Sequence, residues 1–238
     1  MEPVSKAVIF DLGGTLINYE GIPSYWGDHY RPAFELAAAR LQRAVSEDQF
    51  EREIETLKTY NARLYPREIE YQPRDIFGAV YREWGLPEQL LDEAIDAFFV
   101  YFRRNVTIYP DTRNVLAALK QRGYPIGVLT DVPTGMPTEL AKRDAAAILD
   151  RIDCFLASNE CGFRKPHPRG LELLAAQFGV AVSETIFVGD EHKDIQTAKR
   201  AGARSVLIDR GGRSAGFGED HRIAGLAELP GLLDGKRA

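Results

Sequence analysis

Five short apolar runs, each closed by a turn residue or a helix start, constrain this chain more than any other feature. They fall at residues 7–11, 126–130, 154–157, 185–188 and 205–208. Apolar runs this short, bounded by turn signals, read as strands buried on both faces, the condition of a parallel sheet covered by helices. Helical stretches separate them, at 111–122, 138–149, 168–178 and 194–201. Strand alternating with helix predicts a doubly wound, Rossmann-like α/β core with a parallel sheet.

Residues 17–107 break that rhythm. Four stretches there have helical character, 32–44, 46–64, 73–84 and 87–103, and no strand is predicted. Ser46 before Glu47 and Asp48 makes a helix start with acidic groups in its first turn. Gly85-Leu86-Pro87 is a stop followed by a proline start. An all-helical insertion after the first strand predicts an α-helical cap domain, 17–107, over a core domain formed by 1–16 and 108–238. The cap would cover the carboxyl edge of the sheet, where open α/β sheets bind ligands. Residues 211–218 are predicted as a loop, 226–233 as a short helix and 235–238 as a frayed end.

The 238 residues are 45% apolar and 27% charged, ordinary for a globular chain able to bury a substantial core. A net charge of −5 with no Lys/Arg block gives no support to nucleic-acid or membrane partners. Cys154 and Cys161 are too few for a disulfide framework and wrongly spaced for a metal site. The first six residues hold no apolar signal core and no run reaches membrane-spanning length, so a cytoplasmic location is expected. Nothing in the sequence reports an oligomeric state.

The polar groups that close the apolar runs carry the chemistry. Asp11 ends the first run and opens Leu12-Gly13-Gly14-Thr15, where glycines let backbone groups approach a ligand. Thr130-Asp131 ends the second run, Arg164-Lys165-Pro166 precedes a helix, and Val188-Gly189-Asp190 runs on to Asp194. Parallel strands would bring Asp11, Thr130, Lys165 and Asp190 to one edge. A carboxylate can attack an electrophile, and a hydroxyl beside backbone N–H groups can hold phosphoryl oxygens. A lysine can neutralise both nucleophile and incoming anion. A second carboxylate, with Asp11 and a backbone carbonyl, makes an oxygen-rich Mg²⁺ site.

Four such motifs in this order resemble those of the haloacid dehalogenase superfamily of hydrolases, and the resemblance covers nearly the whole chain, with an α-helical cap after the first motif. It implies that Asp11 is the nucleophile of an aspartyl-phosphate intermediate and that Lys165 steadies nucleophile and phosphate. It assigns Thr130 to the phosphoryl group, with Asp131, Gly14 and Thr15 also placed at the substrate, although Thr15 equally suits closing the turn. It assigns Asp11, the Gly13 carbonyl, Asp190 and Asp194 to Mg²⁺, although Asp194 also suits capping its helix. Arg164 is expected to pair with a carboxylate and orient Lys165. A small phosphorylated metabolite, either a phosphomonoester or an acyl phosphate, is the implied substrate.

One position departs from that pattern. Most phosphatases of the superfamily carry an acid–base Asp two residues after the nucleophile, where this chain has Gly13. General acid–base help is worth ~10²–10⁴-fold, so the departure favours easily expelled leaving groups or a substitute acid, for which Tyr19, Glu20 and His192 are candidates. It also leaves two alternatives open. One is a 2-haloacid dehalogenase, a branch that also lacks this Asp but does not normally build the Mg²⁺ site that Val188-Gly189-Asp190 suggests. The other is a degenerate hydrolase kept as a scaffold for phosphate ligands or a partner. Asp131 stands where many members carry Asn.

Overall fold

The computed structural model describes residues 6–22, 25–212 and 215–234. In chain order its strands are β1 (Ala7–Phe10), β2 (Ile17–Tyr19), β3 (Val106–Ile108), β4 (Ile126–Thr130), β5 (Cys154–Ala157), β6 (Thr185–Gly189), β7 (Arg204–Ile208) and β8 (His221–Ile223). Six of them form one parallel sheet in the order β5-β4-β1-β6-β7-β8. The strand order reverses at β1, with β4 on one side and β6 on the other. That leaves a crevice beyond the carboxyl ends of β1 and β6, the topological switch point where doubly wound sheets place ligands.

The predicted α/β core is therefore present, and side-chain alternation along β1 explains why its run is apolar throughout. Val8 and Phe10 belong to one hydrophobic cluster, whereas Ile9 joins Leu129, Phe187, Leu171, Leu174 and Ala198 in a second on the opposite face. Three strands escape the sequence reading. β8 at the sheet edge has only three residues, His221-Arg222-Ile223. The expectation that residues 17–107 hold no strand is also corrected: β2 and β3 pair antiparallel, Ile17 opposite Ile108 and Tyr19 opposite Val106. Three-residue strands show no period of their own, and β2 and β3 are each defined only by a partner about 90 positions away.

Between β2 and β3 lie α1 (Tyr30–Arg40), α2 (Glu47–Thr59), α3 (Pro73–Val80) and α4 (Leu91–Phe99). The later helices are α5 (Thr112–Gln121), α6 (Thr138–Asp144), α7 (Ser158–Cys161), α8 (Arg169–Gln177), α9 (His192–Ala201) and α10 (Leu229–Asp234). Ser46 caps α2 as expected: its Oγ accepts from Gln49 N at 3.3 Å, and Gln49 Oε1 accepts from Ser46 N at 2.9 Å. Several helices are shorter than predicted. The 73–84 and 87–103 stretches each divide into an α-helix and a 3₁₀ turn. The expected helix at 226–233 starts with a 3₁₀ turn, and residues 235–238 lie outside the described part. In the insertion, Phe98 packs against Phe34 and Phe77, with ring centroids 4.7 and 5.2 Å apart. Phe34, Phe77 and Phe98 share the hydrophobic cluster of Val8 and Phe10, so insertion and sheet are packed together.

The segment after α2 is irregular. Asn61 Oδ1 accepts from Arg63 N at 2.9 Å while its Nδ2 donates to Tyr30 at 2.8 Å, turning the chain out of the helix. The segment then lies along the loop before Lys165. Arg164 N donates to Glu68 O at 2.8 Å, and Glu70 N to Gly162 O at 3.0 Å.

Among the described residues, no helix is long and apolar enough to cross a membrane, and both cysteines are free.

Candidate active site

Asp11 directly follows β1, and its N–H donates to Val188 O of β6 at 2.8 Å, which fixes it at the switch point. The chain then reverses. Gly14 has φ of +79°, and a Cβ there would lie 2.3 Å from Asp190 Oδ2. Both facts demand glycine: the backbone is left-handed, and Asp190 occupies the space. Gly13 is unlike its neighbour. A Cβ at this position would meet only the edge of the Tyr19 ring, at 3.9 Å.

Lys165 Nζ donates to Asp11 Oδ1 at 2.7 Å and to Asp194 Oδ1 at 2.6 Å, with all three side chains buried. Asp194 fills the capping role weighed for it, because its other oxygen accepts from Glu191 N at 2.9 Å at the start of α9. Asp11, Asp190 and Asp194 each place a carboxylate oxygen within 4.8 Å of the others. Burial pushes the Asp11 carboxyl up to about 6, Lys165 opposing and Asp194 adding to the rise. Burial and the charges of Asp11 and Asp194 push Asp190 up to about 8. A buried set of hard oxygen donors that one lysine leaves short of positive charge fits a divalent cation.

Two assignments shift. Thr15, expected either at the substrate or closing the turn, is fully buried and donates to Asp190 Oδ1 at 3.1 Å, so it braces a carboxylate. Asp131 lines the cleft, but its carboxylate is committed to the site's cations. It accepts from Lys165 N at 2.9 Å, with Lys193 Nζ at 3.3 Å and Arg164 Nη2 at 3.8 Å. Burial opposes ionisation there, yet the fields of Lys193, Arg164 and Lys165 prevail and hold it down at about 2. Those cations explain how the site accommodates Asp at this position. Arg164 fulfils its expected pairing through Asp131 and also meets the buried Glu70.

Of the three candidate substitute acids, only Tyr19 lines the cleft, and its hydroxyl donates to Asp144 at 3.0 Å. Burial and the adjoining Asp144 charge push that phenol well above its ordinary range. Glu20 is exposed and accepts from Thr107. His192 is exposed and lies beside the Phe217 ring.

The cleft above these groups measures about 740 Å³. Asp11, Gly13, Gly14, Thr130, Lys165 and Asp190 line its floor. Trp26, Phe98, Phe99, Asn61, Arg63 and Arg67 face it from the helical insertion. Thr130 Oγ1 makes no side-chain hydrogen bond among the described residues. Arg67 and Glu70 were not foreseen. Their only sequence signal is the charge clustering of Arg63, Arg67, Glu68 and Glu70 around Pro66, outside any helix.

Against known proteins, residues 5–202 match the haloacid dehalogenase-like hydrolase family. A phosphatase of Mycobacterium tuberculosis is 30% identical over 168 residues, 70% of this chain and 74% of that protein. The phosphoglycolate phosphatase of Escherichia coli K12 is 28% identical across 87% of this chain and 82% of its own. The crystal structure of a 2-haloacid dehalogenase from Pseudomonas syringae superposes with a TM-score of 0.71 at 22% identity, covering 97% of this chain and 98% of that one. At that identity the likeness concerns the fold.

Proposed function

The chain belongs to the haloacid dehalogenase-like hydrolases, and from that premise we propose that it is a Mg²⁺-dependent phosphatase of small phosphorylated metabolites, working through an aspartyl-phosphate. One observation carries this reading. Lys165 Nζ sits between Asp11 and Asp194 beside Asp190, in a buried oxygen cluster at the switch point. In this reading Asp11, the Gly13 carbonyl, Asp190 and Asp194 hold Mg²⁺. Bound there, the metal supplies charge neutralisation to the phosphoryl oxygens. Residues 17–107 act as a cap hinged at the β2–β3 ribbon, which excludes water and limits substrate size when closed.

An oxygen of Asp11 attacks phosphorus, and the bond from phosphorus to the leaving oxygen breaks. Water then attacks the aspartyl-phosphate, releasing phosphate and restoring Asp11. Lys165 keeps the nucleophile ionised and aimed, and its charge meets the incoming anion. Thr130 and neighbouring backbone N–H groups hold the transferred oxygens. The departing oxygen needs a proton or must be weakly basic. Gly13 supplies no proton and the Tyr19 hydroxyl is committed to Asp144, so acyl phosphates and other easily expelled groups are favoured.

Phosphate release from p-nitrophenyl phosphate, acetyl phosphate and sugar phosphates tests the reading, with Mg²⁺, with EDTA and with Asp11→Asn. Turnover that needs metal and disappears in Asp11→Asn is expected. Halide release from a 2-haloacid without added metal would replace it with dehalogenation. Phosphate-ligand binding with no turnover above the Asp11→Asn control would replace it with a scaffold, the alternative that Gly13 keeps open.

A further inference from the structure

Above the reacting groups, ionic contacts run in an unbroken alternating chain. Arg63 meets Glu191, Glu191 meets Lys193, Lys193 meets Asp131, Asp131 meets Arg164, Arg164 meets Glu70, and Glu70 meets Arg67. Both ends are arginines from the irregular segment after α2, so four cations face three carboxylates. The end at Arg63 is half-exposed to solvent, whereas only 14% of the Arg67 side chain is exposed.

Arg67 is the weakly compensated member. Its contact with Glu70 is long, 3.4 Å, because Glu70 already accepts from Arg164, from Ser158 at 2.7 Å and from Tyr71 N at 3.0 Å. One Nη of Arg67 donates to Tyr60 O, and its guanidinium carbon lies 4.8 Å from the centroid of the Tyr71 ring. Its Nε–H is buried with no partner among the described residues. Burial pulls its proton affinity below the ordinary arginine range despite Glu70. A guanidinium held in this way on the cleft wall is costly unless an anion completes it.

Building on the phosphatase reading, we infer that Arg67 binds a second oxyanion on the leaving group of the substrate. The substrate class is then small phosphorylated acids, carrying a carboxylate or a second phosphate. Lys165 and the metal site take the transferred phosphoryl group, while Arg67 takes the far end. A site built to satisfy a buried donor rejects the analogue that lacks the acceptor, because the donor is then left unpaired.

Calorimetric binding to the Asp11→Asn protein with Mg²⁺ separates this from the chemistry. The probes are 2-phosphoglycolate, fructose 1,6-bisphosphate and the uncharged-end analogue 2-hydroxyethyl phosphate. At least one doubly anionic probe should bind more tightly than hydroxyethyl phosphate. Which of them does so tells carboxylate from phosphate. Adding Arg67→Met should weaken that probe by roughly 10- to 100-fold, the worth of a hydrogen-bonded charge, and leave hydroxyethyl phosphate unchanged. Arg67→Lys should restore part of the loss. Equal binding of all three probes, or a uniform loss in Arg67→Met, would overturn the inference and reduce Arg67 to a brace. Absence of phosphate release by the unmodified protein from p-nitrophenyl phosphate would defeat the phosphatase reading alone and leave this binding comparison intact.

Discussion

The floor and the roof of the cleft are built on different principles. On the floor, Asp11 and Asp190 leave the ends of β1 and β6, whose register pairs Phe10 with Val188. Sheet hydrogen bonds fix their spacing before any side chain is chosen. On the roof, Arg63 and Arg67 sit on an irregular segment held by two backbone hydrogen bonds to the Lys165 loop and by ion pairs. A sheet edge gives the precision that bond-making requires. A strap outside any helix or sheet is free to vary without disturbing that precision. On the proposed reading the reaction belongs to the floor and selectivity to the roof.

The sharpest break is on the floor. Gly14→Ala drives a methyl group into Asp190 at a left-handed position. It should cost ~10²-fold or more in kcat through displacement of reacting groups, with Mg²⁺ affinity weakened in parallel by titration. Its neighbour gives the opposite result. Gly13→Asp has open space, and it should raise kcat on alkyl phosphates by up to ~10²-fold, with little effect on acetyl phosphate. Equal effects on both substrates would mean that the missing proton is not what limits the enzyme.

On the roof, Glu70→Gln leaves Arg164 and Arg67 without their shared charge inside the protein. Urea unfolding should show a loss of ~3 kcal/mol, the range for breaking a buried pair, with KM moving more than kcat. The smallest effect concerns Asp131, which joins floor to roof. Its folded value of about 2 lies below the ordinary 3.8, so its contribution is complete above pH ~4 and is lost as pH falls through 2. By linkage this is worth about 2 kcal/mol. Asp131→Asn should therefore be destabilised at pH 7, and its deficit in urea unfolding should shrink towards pH 2.

The strand–helix alternation was legible because each buried strand has an apolar run of its own. Asp11, Thr130, Lys165 and Asp190 were legible because each closes such a run or precedes a proline-started helix. Thr15 was not resolved: the sequence allowed phosphate or turn, and only the approach of Asp190 to Gly14 makes it a partner of Asp190. Glu20 stood as near the nucleophile in sequence as Tyr19, yet their positions on and just beyond β2 send Tyr19 to the cleft and Glu20 to solvent.

By itself, then, the sequence determined the sheet, the helical insertion and the polar groups delivered to one edge, because local hydrophobic pattern and turn chemistry specify them. Only tertiary structure decided the β2–β3 ribbon, the charges that offset Asp131 and the alternating chain ending at Arg67. Those contacts join residues up to about 130 positions apart, and an ion pair leaves no periodicity in the chain on either side of it.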